Sequence, residues 1–460
     1  MDGGLVVLFQ LINYSIVRIK IKIAIMKELN KTDRRAFVKT SAKTLAAGMV
    51  FSHLPIFSSA NVLGHEIIRL GLVGCGGRGT GAIFQALTAS KSVQLVAMGD
   101  VFQHELDNSL QQVTTKFSDQ VAVPKERQFL GMDAFEKVIA QCDAVILATP
   151  PGFRPQHFQH AIDAGKHVFL EKPLAVDGPG YRKIIETGKK AEDKKLNVVV
   201  GLQFRYEIAM NEMVKKIHTG EIGDVLSADV YYNVGKATVH PRKEGQTELE
   251  YQISNWHYFN WLWGGQLAGQ AIHQIDVINW IKQAYPIKAS GMGGRALLEG
   301  PDHGEIFDHH YVEYEYADGS KLHVQCRQMD NCANRMGFNV QGTKARADER
   351  YQFLDNQGNA LWRYRERDDP SSSQIEQDVF IGAILGSKPY VNNVEFGAES
   401  SLTTIMGRMA IESGQIIELD KAKASDLSIV PDSMSWDMKM ANAPLEDGNY
   451  AIPKPGVRVL

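Results

Sequence analysis

The sequence predicts an α/β protein: an N-terminal parallel sheet covered by helices, then an α+β domain with an open, mostly antiparallel sheet. Three observations carry that prediction. Short, nearly continuous apolar runs alternate with helix-compatible stretches from Ile67 to Val200. A G-x-G-x-x-G turn, Gly74-Cys75-Gly76-Gly77-Arg78-Gly79, directly follows the first of those runs. Beyond Gly201 the pattern changes to period-two strands and hairpin turns.

The first 65 residues stand apart as an export signal and linker. Asp33-Arg34-Arg35-Ala36-Phe37-Val38-Lys39 resembles a twin-arginine motif, with Asp33 where Ser or Thr is usual. The weakly apolar Leu45–Phe51 and a small-residue cleavage site at Ser58-Ser59-Ala60 follow, and Met26 reads as the true start. The expected location is therefore periplasmic, the alternative being an amphipathic N-terminal helix in a cytoplasmic protein. No later stretch offers about 18 uninterrupted apolar residues, so no membrane span is expected in the mature chain.

Strands are predicted at Ile67–Val73, Val93–Met98, Asp143–Thr149, His167–Leu170 and Asn197–Val200. Helices are predicted between them at Thr80–Ser90, Asp133–Gln141, Pro155–Ala164 and Tyr181–Lys194. This first domain spans 66–200. The second, 201–424, has strands at Val225–Asn233, Tyr311–Tyr316, Lys321–Arg327, Gly337–Gln341 and Leu361–Tyr364. Its helices are expected at Tyr251–Trp263, Gly269–Gln283, Gln374–Leu385 and Glu399–Ile417, before an extended tail over 425–460. A net charge of −3 leaves no footprint for nucleic acid. The four cysteines read as free thiols, and no ligand spacing suggests a metal.

The glycine turn has a chemical logic. Gly74 permits the tight turn out of the strand, Gly76 lets a pyrophosphate approach the backbone, and Gly79 lets the helix pack closely. Gly77 and Arg78 complete the loop, whose free N–H groups at the helix start favour phosphate. Asp100 ends the second run where a carboxylate would accept hydrogen bonds from ribose hydroxyls and repel a 2′-phosphate. No Lys or Arg occupies 101–103, so NAD is favoured over NADP. Ligands of parallel sheets sit beyond the carboxyl ends of strands, which brings in Thr149-Pro150 and Glu171-Lys172-Pro173.

Lys172 in that place is either a partly desolvated lysine suited to proton transfer or a solvated lysine of a βα loop. His273 and Asp276 share a helix face, as an acid–base pair or as a core histidine with its hydrogen-bonded acid. Arg205, Tyr206, Tyr232, Trp256 and His257, with Gln270 and Asp276, are candidate substrate contacts. Aromatic faces stack on C–H-rich sugar surfaces while polar groups bind ring hydroxyls. Trp261, Trp263 and Trp280 read as core.

The glycine turn, Glu171-Lys172-Pro173 and Gly264-Gly265…His273-x-x-Asp276 together resemble the glucose–fructose oxidoreductase/inositol dehydrogenase (Gfo/Idh/MocA) family over about residues 66–420. The resemblance implies a Rossmann domain, a second domain whose open sheet mediates homo-oligomers, and a carbohydrate or polyol substrate. It implies that Lys172 and His273 are catalytic, exchanging the hydroxyl proton while nicotinamide takes hydride from the same carbon. Gly269 departs from the family pattern, which often has an acid four residues before the histidine. Three functions follow: a sugar or polyol oxidoreductase, a redox-neutral glycosidase or sugar-interconverting enzyme, and a non-catalytic sugar sensor. Export would favour a captive nucleotide over a passing cosubstrate.

Overall fold

The structure, a computed structural model, describes residues 67–457 except Arg367 and Ser433. Met26, Arg34-Arg35 and the cleavage site lie outside the described residues.

Six strands, β1 (Ile68–Val73), β2 (Val93–Asp100), β3 (Gln128–Leu130), β4 (Ala144–Leu147), β5 (His167–Leu170) and β6 (Val198–Val200), form one sheet. Their order is β3-β2-β1-β4-β5-β6, and every pairing is parallel. The strands are short and apolar on both faces because both faces are covered. Val145, Val168 and Val198 belong to one buried cluster, while Leu70, Ile146, Phe169 and Val199 belong to another. Chain direction of the winding reverses between β1 and β4, which opens a crevice at the strands' carboxyl ends.

The second sheet has nine strands: β7 (Val225–Val234), β8 (Lys288–Gly294), β9 (His309–Glu315), β10 (Lys321–Gln328), β11 (Arg335–Gly342), β12 (Arg346–Asp348), β13 (Gln352–Leu354), β14 (Ala360–Arg363) and β15 (Ile417–Glu418). Only β7 and β10 pair in parallel; the other pairings are antiparallel. Val230, Val312, Tyr314, Leu322 and Val324 are buried on one face. They share a core with the helices Ile272–Lys282 and Val394–Ser413. Helix Ser372–Ile384 returns to the first sheet, where Phe380 and Ile381 join its core.

Several boundaries differ from the expectation. The predicted helix Tyr251–Trp263 is broken into Glu248–Ser254, a 3-10 turn at Trp256–Tyr258 and Asn260–Trp263. Asn255 causes the break, because its side chain accepts from His240 N at 2.8 Å and donates to His240 O at 2.9 Å. The predicted Gly269–Gln283 helix begins with a wide π-helical turn, Leu267–Ala271. Helix Val394–Ser413 starts earlier than predicted and stops at Gly414, where φ is +71°. Strand β8 was invisible in its glycines, which it needs: a Cβ at Gly291 or Gly293 would lie 2.9 Å from Ile411 on that helix.

Candidate active site

A cleft of about 520 Å³ lies at the carboxyl end of the parallel sheet. Gly74, Gly76, Gly77, Arg78, Gly79, Asp100, Thr149 and Pro150 all line it. Gly74 has φ +90°, and a Cβ there would lie 2.7 Å from the Thr149 nitrogen. A Cβ on Gly79 would lie 1.9 Å from Gly74 O, so only glycine lets helix Gly77–Ala89 start this close to β1. Gly76 and Gly77 differ: a Cβ at either would meet no protein atom nearer than 4.0 Å. Both front open space, and no side chain caps the helix N-terminus. That is a cradle for an anion, with free N–H donors and a favourable dipole.

Asp100 binds the loop itself. Its carboxylate accepts from Cys75 N at 2.6 Å and from Phe102 N at 2.9 Å. Burial raises its pKa while these N–H groups oppose the rise. Farther along, Phe102, Met132 and Phe135 give the cleft an apolar stretch. A glycine anion cradle, a carboxylate and an apolar slot fit the phosphate, ribose and base of NAD.

Glu171, expected at the cofactor, is placed where it supports the glycine loop. It is buried and accepts from Arg78 Nε, while Arg78 Nη2 donates to Glu376 at 3.0 Å. Glu376 lies on helix Ser372–Ile384 and is completely buried. Arg154 was missed altogether. It is 1% exposed, and its guanidinium donates to Pro173 O at 2.9 Å and Thr149 O at 2.5 Å. It thereby ties the loops after β4 and β5 together. Nothing in the sequence separates it from a solvated arginine on the same helix turn.

Lys172 is partly buried, precedes a cis peptide bond to Pro173, and donates to Gly269 O at 2.6 Å. Burial pulls its pKa down to about 8, aided by Arg154 and Arg78 and opposed by Glu171. The lysine lies among imidazoles. Burial holds His257 down to about 4, with Lys172 adding to the effect. His273 is pushed well below its usual value by burial and by the charges of Lys172 and Arg78. Lys172 and His273 do not line the 520 Å³ cleft; Trp256 and His257 do. The His257 ring lies 3.7 Å from Trp256 and 5.3 Å from Trp263, centroid to centroid. Gln270 Oε1 and His273 Nδ1 are buried without a protein partner.

The remaining expected contacts turn inward. Arg205 and Asp276 pair with each other through two bonds of 2.8 and 2.9 Å. Ser400 Oγ adds a third bond to Asp276 at 2.7 Å, and Arg205 stacks over Phe396 at 4.4 Å. Asp276 thus serves the core rather than orienting His273. Tyr206 donates to Asn393 and packs against the first sheet's core. Tyr232 packs against the core of the second sheet instead of the cleft. Among the described residues no group of His, Cys, Asp and Glu could hold a metal, the four cysteines are free, and no helix is long and apolar enough to cross a membrane.

Comparison with known proteins places these features. Residues 68–202 match the Gfo/Idh/MocA model for an oxidoreductase family with an NAD-binding Rossmann fold. Residues 210–348 match the C-terminal domain model of the same family. A glycosyl hydrolase family 109 protein of Shewanella pealeana is 26% identical over 250 residues, 50% of this chain and 51% of that protein. An inositol 2-dehydrogenase of Acidothermus cellulolyticus is 25% identical over 237 residues, 51% and 60% of the two chains. The chain thus spans about half to three-fifths of the length of these curated relatives. Among solved structures, scyllo-inositol dehydrogenase from Lactobacillus casei, with bound NAD(H) and scyllo-inositol, superposes with a TM-score of 0.58 at 19% identity. That match covers 77% of this chain and 99% of that one, a likeness of fold.

Proposed function

The chain belongs to the Gfo/Idh/MocA family of NAD-binding oxidoreductases, and from that premise we propose that it oxidises a CH–OH group of a carbohydrate or polyol. One observation carries the reading. Lys172 sits on Gly269 O, next in sequence to Gln270, whose Oε1, like His273 Nδ1, is buried without a partner. Such atoms are costly unless a ligand or water meets them, and the hydroxyls of a polyol would do so. The inositol dehydrogenases among the relatives support the same class.

NAD, when bound, supplies a hydride acceptor; Gly74–Gly79 and Asp100 would hold it. Lys172, with its pKa near 8, is the group poised to take the hydroxyl proton. Its neutral partner at Gly269 O orients the amine without holding it in the charged form. His273 and Gln270 orient the hydroxyls, and Trp256 with His257 closes the cleft side. The second reading is a redox-neutral, NAD-dependent glycosidase or sugar-interconverting enzyme, supported by the family 109 relative. For location we propose twin-arginine export, which Arg34→Lys/Arg35→Lys and cell fractionation would test.

The experiment uses purified protein with NAD, a polyol and aldose panel, and a glycoside panel. NADH absorbance should appear with a polyol or aldose. Aglycone release without net NADH would favour the second reading, and neither signal would exclude both. For an active substrate, log kcat/KM should rise with pH and level off near 8. Only the neutral amine accepts a proton, so below that point the rate falls about tenfold per pH unit. Lys172→Met should abolish turnover and keep NAD binding; retained turnover would remove Lys172 from the chemistry.

A further inference from the structure

The cleft wall facing the glycine loop comes from the segment 240–257, and its helix Glu248–Ser254 is used on more than one side. Ile253 and Ser254 front the cleft. Glu248 and Gln252, one turn apart, face the C-terminal tail. The Tyr450 hydroxyl donates to Glu248 at 2.6 Å and accepts from Arg242 at 3.1 Å, and its ring meets Phe259 edge-on at 5.0 Å. Gln252 reaches both oxygens of Asn442 at 3.3 and 3.4 Å.

The apolar contacts run the same way. Met440 and Tyr450, 3% and 4% exposed, belong to one cluster with the cleft residues Phe153 and Ile253, and Trp256 packs against it. The tail is also pinned beyond this contact. Ile429 N donates to Asp177 at 3.0 Å, and Gly456 N donates to Ser413 O at 2.8 Å. Among the described residues none of the tail lines the cleft.

We propose that the tail, residues 425–457, is a strap that fixes this wall over the dinucleotide cleft and sets how slowly NAD leaves it. A helix of seven residues has no stability of its own in water, so its position must come from what packs on it. The tail supplies that packing from outside. A nucleotide held between loop and wall escapes when the wall moves, and every tie broken in the movement raises the barrier to dissociation. The strap rests on NAD occupying this cleft. It also supplies a cause of slow NAD release distinct from any direct contact.

The test compares wild type with Tyr450→Phe/Asn442→Ala, which keeps the ring and removes the side-chain ties of Tyr450 to Glu248 and Arg242 and of Asn442 Oδ1 to Gln252. Full-length protein is loaded with NAD and diluted into NAD-free buffer, and retained nucleotide is followed in time. Release should be roughly tenfold faster in the variant, the effect of about one net hydrogen bond. The nucleotide-free variant should still melt in one cooperative transition, lowered only by the few degrees that the lost hydrogen bonds account for, which separates positioning from general damage. If the double variant folds poorly, Tyr450→Phe alone reads the same rate. Unchanged release overturns the strap, as does release within seconds from the wild type, and either leaves NAD binding standing. A wild type that takes up no NAD in titration calorimetry would remove the cofactor reading and the strap together.

Discussion

A side chain at position 269 has nowhere to go. Its Cβ would lie 1.7 Å from Nε1 of Trp263, inside the indole itself. The glycine and the tryptophan are therefore one feature: the indole occupies the space a residue at 269 would fill, beside the carbonyl that receives Lys172. The π-helical turn Leu267–Ala271 supplies the local departure from a regular helix, and such turns concentrate at functional sites. Gly269→Ala should destabilise by about 1–3 kcal/mol through overpacking. Trp263→Ala should cost about 3–5 kcal/mol through the cavity it leaves. Because the two changes relieve each other, the double variant should cost less than their sum, measured by denaturant unfolding. Strict additivity would mean the indole moves aside without strain.

At the scale of elements, the site is made by two strand ends and the parts that hold them. Arg154 opens helix Arg154–Asp163 and bonds the carbonyls that follow β4 and β5. Burial lowers its pKa to about 10, so it stays charged at neutral pH. Arg154→Met would leave two carbonyls without their donor at about 1–3 kcal/mol each. We expect a lower melting temperature and weaker NAD binding by calorimetry, with Arg154→Lys recovering part of both; unchanged binding would make the arginine merely structural. Such residues mark the limit of what the sequence discloses. The glycine turn was legible because its main constraints are local: Gly74 needs its positive φ, and Gly79 is required by the Gly74 carbonyl within the same turn. The parallel sheet was legible because strands buried on both faces cannot alternate. Arg205 and Asp276 were not, because each finds its partner 71 residues away. Lys172 and Gly269 O lie 97 residues apart, and nothing near either predicts their bond. The helix face shared by His273 and Asp276 was real, yet Ser400 and Arg205 took the acid.

Across the whole molecule, Arg78 of the glycine loop reaches a residue 298 positions away, Glu376, on a helix that returns from the second half of the chain. This acid is fully buried, one of its oxygens has no partner, and Glu171 sits close by with like charge. Burial is the largest influence and Glu171 adds to it, so the pKa lies well above the usual carboxylate value even with Arg78 opposing. The sign of the linkage follows. Above about pH 4.5 the unfolded chain ionises this group while the folded chain still holds its proton, so stability falls as pH rises towards the folded value. Glu376→Gln keeps an oxygen for Arg78 and removes the titration. The variant should therefore gain on the wild type as pH increases from 5 to 8. Melting temperatures of nucleotide-free protein across that range would show it. If the ion pair with Arg78 outweighed desolvation, the variant would instead lose stability as pH rose. Arg78 is about two-fifths exposed on its side chain and is shared with Glu171. Water and the second acid dilute its charge, which is why desolvation should win.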